Sequence, residues 1–389
     1  MGAIVGQRVR CLNLAVLLML AACSAAAAMP PNILLIVADD LGYADLGVFG
    51  SDIRTPNIDA ITADGTLFTD FHTSPSCQPT RAMLMSGNNN HVAGVGRQHR
   101  SPLIAMGVNG FEGYLSERIV PFPVLLQQAG YRTYMTGKWH LGRAPEQGPH
   151  ARGFDRSFAL IDGAGAHFSG KGMFPGGSLY RMDGEEVSFP EGAYTTELFT
   201  DRLIEFIDAE QGNRRPFFAY AAYTAPHWPL QVPDAYLDLY AGHYDEGYDR
   251  LREQRMASLQ AAGIVPADAE LPPRNDAIVP WHALTRAEQR TEARKMELYA
   301  AMVENLDHHV GRLVTYLKER DLYDSTLIVF MSDNGAAGED YYNRGPITQY
   351  LQAHYSDRYE DMGRPGSWIS YGPQWAEAGS APFKRFKTY

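Results

Sequence analysis

The amino-acid sequence predicts an α/β fold, and three observations carry the prediction. Four short apolar runs read as buried strands. Amphipathic helical patterns occupy the intervals between them. Each of the four runs stops at polar or charged residues, as expected where strand ends face a ligand crevice. The chain has 389 residues, 45% of them hydrophobic and 20% charged. That is ordinary globular composition, sufficient for one large α/β domain or two smaller ones.

The first 28 residues stand apart. Arg8 and Arg10 give a basic start, and Leu12 to Leu20 is an apolar run too short to span a bilayer as a stable helix. Residues 1–28 therefore read as a signal peptide. Its end, Leu20-Ala21-Ala22-Cys23, resembles the lipobox of bacterial lipoproteins. The expectation is cleavage before Cys23, a lipid anchor on that residue, and export to the periplasm or outer membrane of a bacterium. Ordinary cleavage within the alanine run is the alternative. Glycine at position 6 rules out the myristoylation pattern.

The elements follow in order. Residues 32–38 run into Asp39-Asp40, and residues 132–136 into Gly137-Lys138-Trp139-His140. Residues 217–223 lead to Thr224-Ala225-Pro226-His227, and residues 326–332 to Asp333-Asn334-Gly335. Between them, residues 124–130 read as a helix closed by a glycine. Residues 196–209 carry Phe199, Leu203, Phe206 and Ile207 at helical spacing. Residues 292–320 form the longest pattern, with Met296, Tyr299, Val303, Leu306, Val310, Leu313 and Leu317 on one stripe. Both stripes read as core. Residues 229–290, rich in charge, tyrosine and proline, read as an excursion that shapes a substrate mouth, with its tyrosines packing.

Charge and cysteine content narrow the function. A net charge of −11 argues against nucleic acid as a partner. Of three cysteines, Cys11 and Cys23 lie in the export segment, which leaves Cys77 alone in the body. A lone thiol in an oxidising compartment is a liability unless buried, modified or used. A small buried hydrophobe is the plain reading.

Adjacent carboxylates such as Asp39 and Asp40 repel, and by themselves they fit a solvated turn. Likewise Asn334-Gly335 fits a hairpin turn. Taken together, Asp39, Asp40, Asp333 and Asn334 offer four oxygen ligands suited to Ca2+ or Mg2+. Cations stand nearby in sequence. Arg81 lies one turn beyond Cys77 on a helix expected to begin near Pro79 or Thr80, whose N-terminus would lower a thiol pKa. Lys138, His140 and His227 occupy other strand ends, and Lys384, Arg385 and Lys387 lie near residue 389. Each alone could be a surface charge or a structural histidine.

The residues resemble the type I sulfatases of the alkaline-phosphatase-like superfamily. Cys77-Gln78-Pro79-Thr80-Arg81 with Met85-Ser86-Gly87 is similar to the first sulfatase signature, whose core is Cys-x-Pro-x-Arg. Gly130-Tyr-Arg-Thr-Tyr-Met-Thr-Gly-Lys-Trp-His140 is similar to the second. Gln78 and Thr80 depart from the commoner residues of the first signature. The resemblance implies a large, mixed, mostly parallel sheet between helices, over a catalytic domain at 29–389. It also implies a small C-terminal antiparallel-sheet domain that would be missing or truncated here.

For chemistry, the resemblance implies a formylglycine made from Cys77 by a maturation enzyme. Its hydrated aldehyde takes sulfate from an aryl sulfate. Asp39, Asp40, Asp333, Asn334 and residue 77 would hold calcium, with Asp333 as base. Arg81, Lys138 and Lys387 would stabilise sulfate charge. His227, with Lys138 or Lys387, would protonate the leaving oxygen, and His140 would bond the second hydroxyl of the diol. A phosphate mono- or diester hydrolase of the same superfamily and a non-catalytic lipoprotein that binds sulfated glycans are the alternatives.

Overall fold

Residues 29–98, 106–210, 212–213 and 215–388 are described by a computed structural model. The expected signal peptide at residues 1–28, with Cys11 and Cys23, lies outside them. Seven strands form one sheet: β1 Asn32–Ala38, β2 Arg132–Lys138, β3 Arg156–Leu160, β4 Tyr180–Met182, β5 Glu185–Val187, β6 Phe217–Ala222 and β7 Thr326–Ser332. Their order is β5-β4-β3-β2-β6-β1-β7. The run from β3 to β7 is parallel, and β4 and β5 add an antiparallel edge. The helices are α1 Pro56–Ala63, α2 Cys77–Ser86, α3 Phe122–Gln128, α4 Thr195–Asp208, α5 Gly247–Ala261, α6 Arg286–Glu319, α7 Thr348–His354 and α8 Gly372–Gly379.

Strand alternation explains why helices cover both faces. Leu34 and Ile36 of β1, with Ala219 and Ala221 of β6, join Phe199 and Leu203 of α4 and Val303, Leu306 and Val310 of α6 in one core. Leu35 and Val37, with Phe218 and Tyr220, join Ala82 and Met85 of α2 in a second core on the other face. The sandwich of a mixed, mostly parallel sheet between helices is as the sequence predicts. Strand β7, at the edge, leaves Leu327 and Val329 at 54% and 37% exposure. Among the described residues this is the one sheet. No described helix is long and apolar enough to cross a membrane.

Several expectations need correcting. Helix α2 begins at Cys77, two residues before Pro79. Helix α6 begins at Arg286, six residues upstream of the start expected at residue 292. There the Thr285 hydroxyl accepts from the Glu288 N–H, and the Glu288 carboxylate accepts from the Thr285 N–H. That reciprocal capping box starts a helix that the stripe alone does not. The segment 229–290 contains helix α5 and packs against α6 and α8. Its Tyr240, Tyr244 and Tyr248 are core residues as expected, but the segment does not line the cavity described below.

Candidate active site

Four strand ends and one helix start build the site. Asp39 and Asp40 follow β1 directly and are both fully buried. Asp40 has φ +67, a conformation few non-glycine residues adopt, so the chain turns sharply at the strand tip. Strand β2 delivers Lys138 because Gly137 (φ +104) lets β2 press onto β6. A Cβ there would stand 1.8 Å from the Ala222 carbonyl oxygen, so only glycine fits. Lys138 Nζ then donates to both Asp39 oxygens, at 2.9 and 2.7 Å.

Cys77 opens α2, and its Sγ lies 3.4 Å from Asp39 Oδ1 and 3.6 Å from Asp40 Oδ1. One turn later Arg81 donates from Nε to Asp333 Oδ2 (2.8 Å) and from Nη1 to the Lys138 carbonyl (2.8 Å). The Tyr220 hydroxyl lies 3.4 Å from the same Nη1. Beyond β7, Asp333 Oδ1 accepts from the Asp40 N–H (3.3 Å), and Asn334 Nδ2 donates to Asp40 Oδ1 (2.6 Å).

Beyond β6, His227 Nε2 lies 3.3 Å from Asp40 Oδ2. Lys387 arrives from the far end of the chain, pinned by its backbone N–H to the Ala336 carbonyl. Its Nζ donates to Asp40 Oδ2 (2.8 Å) and lies 3.4 Å from His227 Nε2. Lys384 and Arg385 are exposed, so of the three late cations only Lys387 joins the cluster.

Buried charges are costly unless paired, and these are paired. Three carboxylates meet three cations, which leaves the cluster near neutral. Burial pushes Asp40 up, but His227, Lys387 and Lys138 together hold it well below the usual carboxylate range. Asp333 is raised to about 6 by burial and by the charge of Asp39, against the pull of Arg81. Burial lowers His227 well below the ordinary histidine value, with Asp40 opposing. Cys77 reverses the expectation drawn from its helix N-terminus. Burial and the Asp333 charge raise its thiol well above normal, so it stays protonated at neutral pH.

A cavity of about 1010 Å³ opens beside this cluster, lined by Ser76, Gln78, His140, His227 and Lys387 among others. His140 sits at φ +58, a second strained residue at the site. Gly163 makes room for its ring, because a Cβ there would stand 2.5 Å from the imidazole. His140 lines the cavity.

The ligating atoms of Asp39, Asp40, Cys77 and His227 lie within 4.8 Å of one another. Asp333 and Asn334 attach to this group through Asp40. Asn334 Oδ1 is buried and has no hydrogen-bond partner among the described residues. An oxygen-rich set with one unanswered oxygen fits a hard divalent cation.

Sequence reasoning missed five residues. Tyr220 reads as a core strand residue. Trp228 and Glu339 line the cavity. His167 lies behind His227: its Nδ1 accepts from the Thr195 hydroxyl (2.6 Å) and its Nε2 donates to the His227 carbonyl (3.2 Å). Asp162, also on the cavity wall, follows β3, and a charged residue at a strand end was the available signal.

Comparison with known proteins extends this picture. A family model described as Sulfatase matches residues 31–362. An uncharacterized sulfatase of Schizosaccharomyces pombe is 40% identical over 376 residues, covering 92% of this chain and 67% of that protein. An arylsulfatase of Klebsiella aerogenes is 38% identical over 362 residues, covering 91% and 76%. The crystal structure of Ps i-CgsB in complex with k-i-k-neocarrahexaose matches with a TM-score of 0.58 at 31% identity, over 79% of this chain and 59% of that one. The chain thus spans less than two thirds of that solved structure. A family match across most of the chain coincides with one buried cluster that gathers both signature segments, and on this ground the protein belongs to the sulfatase family, with its alkaline-phosphatase-like fold.

Proposed function

We propose that this protein hydrolyses sulfate esters, an aryl sulfate foremost, through a formylglycine made from Cys77. The observation that carries the reading is the thiol itself. It is buried, held protonated, and set between two carboxylates and three cations. A protonated thiol facing carboxylates is a poor nucleophile, yet the surrounding charges suit a tetrahedral anion. Conversion of the side chain resolves the conflict. Formylglycine supplies a hydrated aldehyde, one oxygen of which takes the sulfate while the other later expels it. A calcium or magnesium ion held by Asp39, Asp40, Asp333 and Asn334 would supply polarisation of a sulfate oxygen and two further positive charges to a nearly neutral pocket.

The chain's own groups do the rest. Arg81 and Lys138 are locked in place by Asp333 and Asp39, so they present fixed charge to the sulfate. His227 Nδ1 lies 2.7 Å from the Trp228 carbonyl, which only accepts, so Nδ1 carries the proton. Nε2 is then an acceptor facing Lys387, and the departing oxygen takes its proton from the Lys387–His227 pair. Lys138 holds both oxygens of Asp39 and, unlike Lys387, does not line the cavity, so it does not share that role. His140, on the cavity wall, would orient the second hydroxyl. Export and a lipid anchor at Cys23 complete the reading and rest on the sequence of residues 1–28.

The test uses the chain produced together with a maturation enzyme. Mass spectrometry of the peptide containing Cys77 should show the thiol replaced by an aldehyde. Sulfate release from 4-nitrophenyl sulfate should exceed phosphate release from 4-nitrophenyl phosphate, stop on chelation and return with Ca2+ or Mg2+. An unmodified thiol in fully active protein, or a large phosphatase preference, would reject the proposal.

A further inference from the structure

Two polar atoms on the cavity wall have no hydrogen-bond partner among the described residues: Glu339 Oε2 and Trp228 Nε1. Both residues line the cavity together with His227 and Lys387. Glu339 lies four residues beyond the Asp333-Asn334-Gly335 turn. Its Oε1 is 3.9 Å from Lys387 Nζ, so one carboxylate oxygen is anchored and the other is unanswered. Trp228 follows His227 and is fixed by packing, with its ring 5.7 Å from that of Trp368 and 5.3 Å from that of Tyr341. Burial raises the Glu339 carboxyl above its ordinary range, Lys387 opposes it, and the indole N–H faces the carboxylate and helps hold its charge without completing a well-aligned hydrogen bond. Buried donors and acceptors left unmade are costly, so each one calls for a physical reason.

The two atoms are complementary in kind. One is a donor and one an anionic acceptor, and both sit beside the groups that serve the departing oxygen. A second sulfate at this point would meet the Glu339 carboxylate and be repelled. An alkyl or aryl C–H would leave both atoms unsatisfied. A hydroxyl both donates and accepts, so it satisfies both. We infer that Glu339 and Trp228 recognise a free hydroxyl neighbouring the sulfate ester. The substrate class is then a monosulfate of a vicinal diol, on either an aromatic or a saturated ring. The inference rests on the sulfate-ester reading and deepens it. Tyr341 and Phe174, on the same wall, offer faces for the ring that carries the two oxygens.

The experiment measures binding, so it does not depend on turnover. The full chain carrying Cys77→Ala is titrated calorimetrically with two probe pairs. One pair is 4-nitrocatechol sulfate and 4-nitrophenyl sulfate. The other is trans-2-hydroxycyclohexyl sulfate and cyclohexyl sulfate. In at least one pair the hydroxylated member should bind about 10- to 100-fold more tightly, equivalent to about 1.4 to 2.8 kcal/mol. The pair that shows the larger ratio tells a catechol from a saturated ring. Adding Glu339→Met should bring that ratio to within about threefold, as should adding Trp228→Phe. Glu339→Met keeps the volume and serves if the Trp228 variant fails to fold. Equal affinities within both pairs, no binding of any probe, or a ratio that survives Glu339→Met would overturn the inference. Sulfate release by the matured chain separately decides whether the sulfate-ester reading stands.

Discussion

Two buried ionic clusters flank the segment from Asp39 to Asp45, and they differ in what anchors them. Around Cys77 the contacts run mostly between side chains, drawn from four strand tips, α2 and Lys387. Around Asp45 the side-chain pairs are joined by two contacts that tie the cluster to the backbone of residues 42 and 44. The Tyr299 hydroxyl donates to Asp45 Oδ2 (2.8 Å) and accepts from the Gly42 N–H (3.1 Å). Arg255 pairs with Asp52 (2.8 Å) and Asp45 (3.4 Å) and donates to the Ala44 carbonyl. Burial raises Asp45 while Arg255 opposes it, much as burial raises Asp333 while Arg81 opposes it. Burial, charge and perturbed acidity are therefore common to both clusters and do not by themselves mark an active site. What separates them is that the first holds a thiol, borders the large cavity and concentrates backbone strain at Asp40 and His140. The second pins residues 42–45, while Asp39 and Asp40 are held by their own partners.

Two substitutions should pull the clusters apart. Replacing Cys77 with alanine should lower sulfate-ester turnover by roughly 10⁴-fold or more, as loss of a covalent nucleophile does elsewhere. Its thermal midpoint should hardly move, because one sulfur atom is lost and no ion pair is broken. Arg255→Met should do the reverse. It strands Asp45 in a buried site, at a cost of about 3–5 kcal/mol in chemical denaturation, while kcat per folded molecule stays within about threefold. If Arg255→Met silenced turnover in folded protein, the division between a chemical and a structural cluster would be wrong.

Acid sensitivity sharpens the same contrast at the back of the site. Burial pushes the His167 pKa down to about 4, against about 6.5 in an unfolded chain. The unfolded chain therefore takes up the proton first. The stability associated with a neutral His167 is complete above about pH 6.5 and declines as pH falls towards 4. Urea titrations at pH 7 and pH 4.5 should differ by roughly 2–3 kcal/mol from this residue. His167→Gln should remove that share of the slope, and an unchanged slope would mean that other groups set it.

The sequence made the strand tips legible because each apolar run ends abruptly in charge, and local patterning records such a change of chemistry. The acids at 39, 40 and 333 and the bases at 138 and 227 follow from it. Lys387 has no such signal, since it lies on an exposed basic run from which only one residue turns inward. Tyr220 was hidden for the opposite reason, as a strand residue in an apolar run looks like core whether or not its hydroxyl touches Arg81. The direction of the 229–290 excursion was not legible either, because packing of α5 against α6 and α8 is set by tertiary contacts. Glu339 belongs with these, for only the position of Lys387 shows what its carboxylate faces.

The smallest expected effect tests whether His140, on the cavity wall, belongs with the chemistry. Gly163 has no left-handed backbone requirement, and a methyl group there would stand 2.5 Å from the His140 ring. Gly163→Ala should therefore displace the imidazole without touching any charged member of the site. If His140 orients the second hydroxyl of a formylglycine diol, sulfate release should fall about 10-fold in kcat, near the low end for a misplaced general base. KM should change little, because Arg81, Lys138 and Lys387 still hold the sulfate. A parallel fall in binding, with kcat unchanged, would instead place His140 among the groups that contact the alcohol portion of the substrate.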